Sequence, residues 1–339
     1  MNTLEFCRVL PKIELHAHLN GSLSEKTLKS LGCLNKSVSE YQGLTSINNK
    51  IERTLHECFE LFKIAHLATK NPDSVYLAAQ SVIKDFADDN VRYLELRTTP
   101  RAEDGMTKEE YIESVVKAIK DSKKPLVKLI LSVDRRHDIL VSQNTVAVIL
   151  SMRNKYPDII KGIDLSGNPH LGCFDKELFN KAKENGLKTT IHCAEIINND
   201  EVMEILNFGP NRIGHATFLN PNYSGSIENW ESYCKKKIPA EFCLTSNVVC
   251  GTAKSYKEHH MQEWIKNGLP FSINTDDKGV FCTSLSEEYE HAQNNFNLSN
   301  TDLWTIAYNA IDHSFASIQE KALMKKELKE WKTQNQHQF

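Results

Sequence analysis

No run of apolar residues in this chain reaches the roughly 18 needed to cross a bilayer. The first eight residues lack the apolar core of an export signal. Charge of one sign is missing too: 41 Lys and Arg stand against 44 Asp and Glu, a formal net charge of −3. That balance offers no electrostatic footprint for nucleic acid or an anionic membrane. There are nine cysteines but no Cys-x-x-Cys pair. An odd, unpatterned set points to reduced thiols in a cytoplasmic protein rather than a disulfide framework. Several lie in apolar segments, where Cys acts as a small hydrophobe. No Gly/Ser/Pro linker, internal repeat or low-complexity tract divides the 339 residues, so one domain over 1–339 is expected. No coiled-coil pattern stands out, and a monomer is the default.

What is present is a rhythm. Short apolar strands are expected at 13–18, 91–96, 126–133, 159–165, 187–192, 212–215, 238–244 and 269–274. Helical patterns fall between them at 107–122, 145–155, 176–185, 200–207, 226–237 and 256–267, with a helical tail over 285–332. Residues 24–71 read as helical and polar, loosest near 35–49, with Leu55, Cys58, Phe59, Phe62 and His66 on one face. Asn71-Pro72-Asp73 starts another helix, whose apolar stripe is Val75, Ala78, Ala79, Val82 and Phe86. Eight strands alternating with helices predict a (β/α)8 TIM barrel with extra helices over its C-terminal mouth. The rival is a doubly wound sheet. It would want a glycine-rich phosphate loop after the first strand, and Leu19-Asn20-Gly21-Ser22 is not one.

In such a barrel the C-terminal strand ends converge on one mouth. In chain order those ends carry His16 and His18, the stretch from Arg97 to Arg101, Asp134, Gly167, His192 with Glu195, His215, Asn247, and Asp276 with Asp277. Strand alternation puts His16 and His18 on one face, close enough to grip one ion. Three strands ending in His and one in Asp-Asp are hard to explain as packing. Three imidazoles and a carboxylate suit one Zn²⁺ and leave a position for water. His215 and Glu195 remain as base and acid. His-Glu-x-x-His and Pro-Cys-x-x-Cys, the motifs of other zinc hydrolases and deaminases, are absent.

His16-Ala17-His18-Leu19-Asn20-Gly21-Ser22, Asp164-Leu165-Ser166-Gly167, His192-Cys193-Ala194-Glu195, Gly214-His215 and Asn274-Thr275-Asp276-Asp277 resemble the adenosine deaminase family, in order and over almost the whole chain. The segments 94–101 and 275–281 look like the branch of that family that acts on N6-methylated AMP. The resemblance implies that His16, His18, His192 and Asp276 ligate zinc, with His18 also facing substrate. It gives Glu195 the task of protonating the purine nitrogen next to C6, for which a dry pocket should raise its pKa. His215 would orient or deprotonate the attacking water. Asp277 and the Gly167 backbone N–H would contact ring nitrogens.

Relatives that take free nucleosides usually carry Asp at the position of Asn20. A neutral amide does not repel a 5′-phosphate, which a carboxylate would. Arg101 could then reach the phosphate, with Thr98, Thr99 and His66 beside it and Asp134 holding ribose or bracing Arg101. As alternatives, Arg97 and Arg101 are rim ion-pair partners and His66 only packs its helix. Ala216 stands where many relatives have Gly, a change tolerated unless φ > 0 is required. Lys278 replaces a common Pro, adding positive charge near the mouth or sitting solvated. The expected reaction is hydrolysis of N6-methyl-AMP or related N6-substituted purine nucleoside monophosphates to IMP and the free amine. Deamination of free adenosine and non-catalytic purine binding are the alternatives.

Overall fold

The computed structural model describes residues 2–31 and 55–339, with side chains in the second stretch from residue 62 onward. Eight strands, β1 (Lys12–His18), β2 (Val91–Thr98), β3 (Leu126–Asp134), β4 (Ile160–Ser166), β5 (Lys188–Cys193), β6 (Arg212–His215), β7 (Ala240–Phe242) and β8 (Phe271–Ile273), form one sheet in sequence order. Every neighbouring pair is parallel. Parallel neighbours in chain order require a helical crossover between them, and a twisted sheet of eight such strands curls into a barrel. The seam between β8 and β1 is joined by the backbone. The His18 N–H donates to the Asp276 carbonyl (2.9 Å), and the Asp276 N–H donates to that of His16 (2.8 Å). Asn274 extends the seam with its side chain, Oδ1 accepting from the Leu15 N–H at 3.0 Å.

Helix starts follow their capping residues. Asn71 caps the helix Pro72–Asp88 through a reciprocal pair with Ser74, and that helix buries the expected stripe, with Ile83 added. Thr107 does the same with Glu110 for Lys108–Asp121. The helix expected from 145 begins at Ile139 because Asp138 caps it, accepting from the Val141 N–H. Strand seven is shorter than expected. Residues Leu244–Val249 form a helix, since tertiary contacts override the β-propensity of Val248 and Val249. The stretch expected as one helix over 256–267 is a 3-10 turn, Tyr256–Glu258, followed by the helix Met261–Asn267. The tail folds as three helices, Leu285–Phe296, Asn300–His313 and Ile318–Gln334. Within 24–71 the described helices are Glu25–Ser30 and Leu55–Ala68. The loose patch at 35–49 and the side chains of Leu55, Cys58 and Phe59 lie outside the described residues, while Phe62 packs partly buried on the core. Among the described residues no disulfide joins the cysteines and no helix is long and apolar enough to cross a membrane.

Candidate active site

Alternation along β1 delivers His16 and His18 to the barrel mouth, and β5 and β8 bring His192 and Asp276 to meet them. One donor atom from each of the four lies within 4.8 Å of all the others. The separations are tighter where they matter. His18 Nε2 is 3.2 Å from His192 Nε2 and 3.4 Å from Asp276 Oδ1, which is 3.3 Å from His16 Nε2. Metal bonds of 2.0–2.1 Å in a tetrahedron set donors about 3.3 Å apart. Three of the six donor pairs are therefore spaced as such an ion requires. His16 Nε2 is buried without a hydrogen-bond partner among the described residues, the signature of a lone pair reserved for something else.

Outer carboxylates fix the ring tautomers. His16 Nδ1 pairs with Glu241 Oε2 at 2.6 Å, and His192 Nδ1 with Asp164 Oδ1 at 3.0 Å. Because carboxylates only accept, each Nδ1 carries the hydrogen and each Nε2 is left as a ligand. Arg97 bridges the two carboxylates, Nη2 to Glu241 (2.9 Å) and Nη1 to Asp164 (3.3 Å), and also donates to the Leu15 carbonyl. The rim role considered for Arg97 is thus overturned. Its guanidinium is fully buried inside the barrel, where two carboxylates neutralise it. Arg212 joins Glu241 to Glu95 below, and Thr190 and Ser132 satisfy further carboxylate oxygens. Burial and Arg97 act to lower the His16 pKa. The Asp276 and Glu241 carboxylates outweigh them and raise it to about 9, an attraction for positive charge at that nitrogen. Ser246 Oγ steadies Asp276 from the other side, donating to Oδ2 at 2.7 Å.

Three strand ends turn out of the sheet through left-handed backbone. Ala194, His215, Ala216 and Asp276 have φ of 57°, 60°, 56° and 59°. Such conformations are uncommon without glycine and cluster at functional sites. The condition attached to Ala216 is met: φ > 0 is required there, and an alanine carries it. His215 places Nε2 3.7 Å from Glu195 Oε2 and 3.9 Å from Asp276 Oδ2. Burial, opposed by those two carboxylates, holds the His215 pKa below its ordinary value, so its ring is neutral and can accept a proton. Glu195 keeps about one fifth of its side chain exposed. The dry pocket expected for it is not complete in the free chain. Gly167 has φ +101°, and a Cβ there would stand 2.4 Å from Asp134 Oδ1. Asp277 packs so closely on the turn after β1 that a Cβ at Gly21 would lie 1.6 Å from its Oδ1.

The other expected residues form a second group at the mouth. Asn20 Oδ1 accepts from the Tyr111 hydroxyl at 3.3 Å, and that hydroxyl also meets Thr98 Oγ1 at 2.6 Å. Thr99 follows β2, half-buried. Arg101 lies over the Tyr111 ring at 5.1 Å and donates to the carbonyls of His66 and Thr69. Asp134 does not brace Arg101. Its carboxylate is taken by Arg136, two residues on, with Nη2 at 2.6 Å, because the turn after β3 folds that side chain back. Burial, with Arg101 and Arg136 nearby, pushes His66 down to about 4, so it is neutral near pH 7. Lys278 sits over the Phe86 ring at 4.8 Å, drawn toward the helix Pro72–Asp88. Asn247, read as a strand end, is on the helix Leu244–Val249 and bonds Thr217 and His259.

The reading from residues missed Glu241, Arg136, Tyr111 and Ser246 as site residues. Each is a single polar residue inside an ordinary pattern, and only the partner across the barrel gives it meaning. One signal was available: a lone Glu in the apolar stretch 238–244 invites the question of what neutralises it.

A family model described as adenosine deaminase matches residues 11–331. The chain is 41% identical to the N6-Methyl-AMP deaminase of Danio rerio, covering 97% of each chain, and 41% identical to that of Homo sapiens, covering 95% and 93%. Among solved structures it is similar to Arabidopsis N6-mAMP deaminase, with TM-score 0.86, 38% identity, and 96% and 99% of the two chains covered. It is also similar to Arabidopsis ADAL complexed with IMP, with TM-score 0.85, 37% identity and coverage of 96% and 98%. An adenine deaminase from Arthrobacter aurescens, 21% identical with TM-score 0.82, shares the fold. With strand order, donor spacing and near full-length similarity in agreement, the chain belongs to the adenosine deaminase family.

Proposed function

We propose that this chain is a metal-dependent hydrolase that converts N6-methyl-AMP, and related N6-substituted purine nucleoside monophosphates, to IMP and the free amine. The observation that carries the nucleotide reading is the neutral Asn20, linked through Tyr111 to Arg101 in a patch that also holds neutral His66 and Arg136. That patch supplies donors, its two guanidiniums each paired with a carboxylate (Arg101 with Glu103, Arg136 with Asp134), and it has no carboxylate at position 20 to repel a phosphate. The relatives' names and the IMP-bound neighbour support it. The family model spans nearly the whole chain, which supports a single domain.

We assign His16, His18, His192 and Asp276 as ligands of one divalent ion, read as Zn²⁺ from its three imidazoles and one carboxylate. Such an ion, when bound, supplies Lewis acidity and brings the pKa of a water from 15.7 toward ~7. The remaining steps fall to the chain. His215, neutral and within 3.9 Å of Asp276, takes a proton from the attacking water. Glu195, 3.7 Å from His215, gives its proton to the ring nitrogen beside C6, so that the carbon accepts the oxygen. The C6–N bond then breaks: the proton on His215 leaves with methylamine, and the C6 hydroxyl proton passes to Glu195 as the carbonyl of IMP forms, so both groups are restored. Asp277 and the Gly167 N–H hold the ring, and substrate itself completes the exclusion of water from Glu195.

The test is product analysis of purified, metal-replete protein with N6-methyl-AMP, AMP, N6-methyladenosine and adenosine. IMP formation from N6-methyl-AMP at a kcat/KM at least 100-fold above that for adenosine is expected. A preference for adenosine, or no turnover of any of the four, overturns the proposal.

A further inference from the structure

The base assigned above lacks what normally aims a catalytic imidazole. In most base-assisted sites a third group bonds the far ring nitrogen and fixes the ring. Here His215 Nδ1 is buried with no hydrogen-bond partner among the described residues, and the carboxylates nearest Nε2 stand beyond hydrogen-bond length. The ring is aimed by its backbone instead. His215 and Ala216 are both left-handed, and the Ala216 N–H is shared between the Cys193 and Gly214 carbonyls at 3.0 and 2.8 Å. The peptide's other pole, the His215 carbonyl, faces His260, whose Nε2 lies 2.7 Å away.

We propose that His260 is a positioning residue. It clamps the His215 carbonyl and so keeps a strained pair of left-handed residues, and the imidazole they carry, in the orientation that serves the reaction. The clamp rests on the reading of His215 as the base. A carbonyl only accepts, so His260 must carry its hydrogen on Nε2. Its Nδ1 is then a bare acceptor, buried and without a partner among the described residues. A side chain present only to fill space would avoid that penalty, and Phe or Leu would serve among Phe242, Trp264 and Tyr223. The ring is itself held. It stacks on His259 with centroids 4.1 Å apart, and His259 is fixed by the Met261 N–H on Nδ1 and Asn247 Oδ1 on Nε2. Asn247 in turn bonds Thr217, two residues beyond His215. Loop and clamp thus form one closed ring of contacts.

Three forms of the metal-loaded protein test this: wild type, H260F, which keeps the volume and loses the donor, and H260Q, whose amide nitrogen reaches the same place. Misplacing a reacting group by an ångström costs on the order of 100-fold. H260F should therefore lose roughly 10–100-fold in kcat on N6-methyl-AMP with KM within about twofold and metal content unchanged, while H260Q stays within about threefold of wild type. The His215 imidazole resonances of ¹⁵N-histidine-labelled protein should shift in H260F and return in H260Q. If H260F does not fold, H260N, too short to reach, takes its place with the same expectations. Unchanged His215 resonances, a kcat like wild type in H260F, or an H260Q as poor as H260F each overturn the clamp. Wild type without turnover overturns the enzymatic reading, and the resonances still decide the clamp.

Discussion

Asn20 makes a narrow electrostatic claim. Two unit charges about 4 Å apart at a partly buried site differ by roughly 4 kcal/mol, enough for a factor of several hundred. Asn20→Asp keeps the Tyr111 contact, because a carboxylate oxygen accepts from that hydroxyl as the amide oxygen does. It changes only the charge beside the patch. The expected result is a loss of about 100-fold in kcat/KM for the 5′-monophosphate, with activity on the free nucleoside equal or improved. Steady-state kinetics on the two substrates measures it, and a parallel fall on both would remove Asn20 from the specificity argument.

Strand neighbours shape the metal donors as much as the ligands do. Gly214 on β6 pairs with His192, and a Cβ there would come within 2.9 Å of His16 Cε1. The His16 ring cannot yield easily, because Glu241 holds its other edge. Gly214→Ala should push the ring off the carboxylate and weaken metal binding about 10–100-fold, the usual cost of a lost outer partner. Competition with a chelator measures this, and circular dichroism checks that the barrel persists. The pattern of elements also explains what could be read in advance. Strand ends are legible because one mouth collects them, so His16, His18, His192, Glu195, His215 and Asp276 stood out before any coordinates. Glu241 did not, and Arg97 was read only as a strand end with a rim role, because one buried charge in a strand looks like a break in alternation until its counterion is seen on a strand far along the chain. Arg136 was hidden by a turn that folds it back on Asp134. Thr245-Ser246-Asn247 reads as a strand end, since Leu, Thr, Ser, Asn and two Val carry no local mark of the helix they form.

Across the fold as a unit, acid should be more damaging than the near-neutral charge balance suggests. His66, His260 and His313 are pushed down to about 4, about 3 and about 4 by burial, and His259 goes well below its ordinary value for the same reason. All four take protons near pH 6.5 once unfolded. Glu14 and Glu288, raised by burial to about 8 and about 7, act the other way by shedding protons on unfolding. The unfolded chain therefore binds few more protons than the native one at pH 6.5 and about two more at pH 5, so stability falls as pH falls. Allowing for partial exposure of His66 and His313, the loss is about 2 kcal/mol. Urea denaturation of metal-loaded protein at the two pH values should show it, and equal midpoints would refute the neutral-histidine account.

The seam between the first and last strands carries one more implication. The amides and carbonyls that stitch it belong to His16, His18 and Asp276, whose side chains are also the proposed grip on the ion. Cargo and clasp are therefore the same three residues. In a cylinder built this way, any opening of the hoop on that side displaces three of the catalyst's donors.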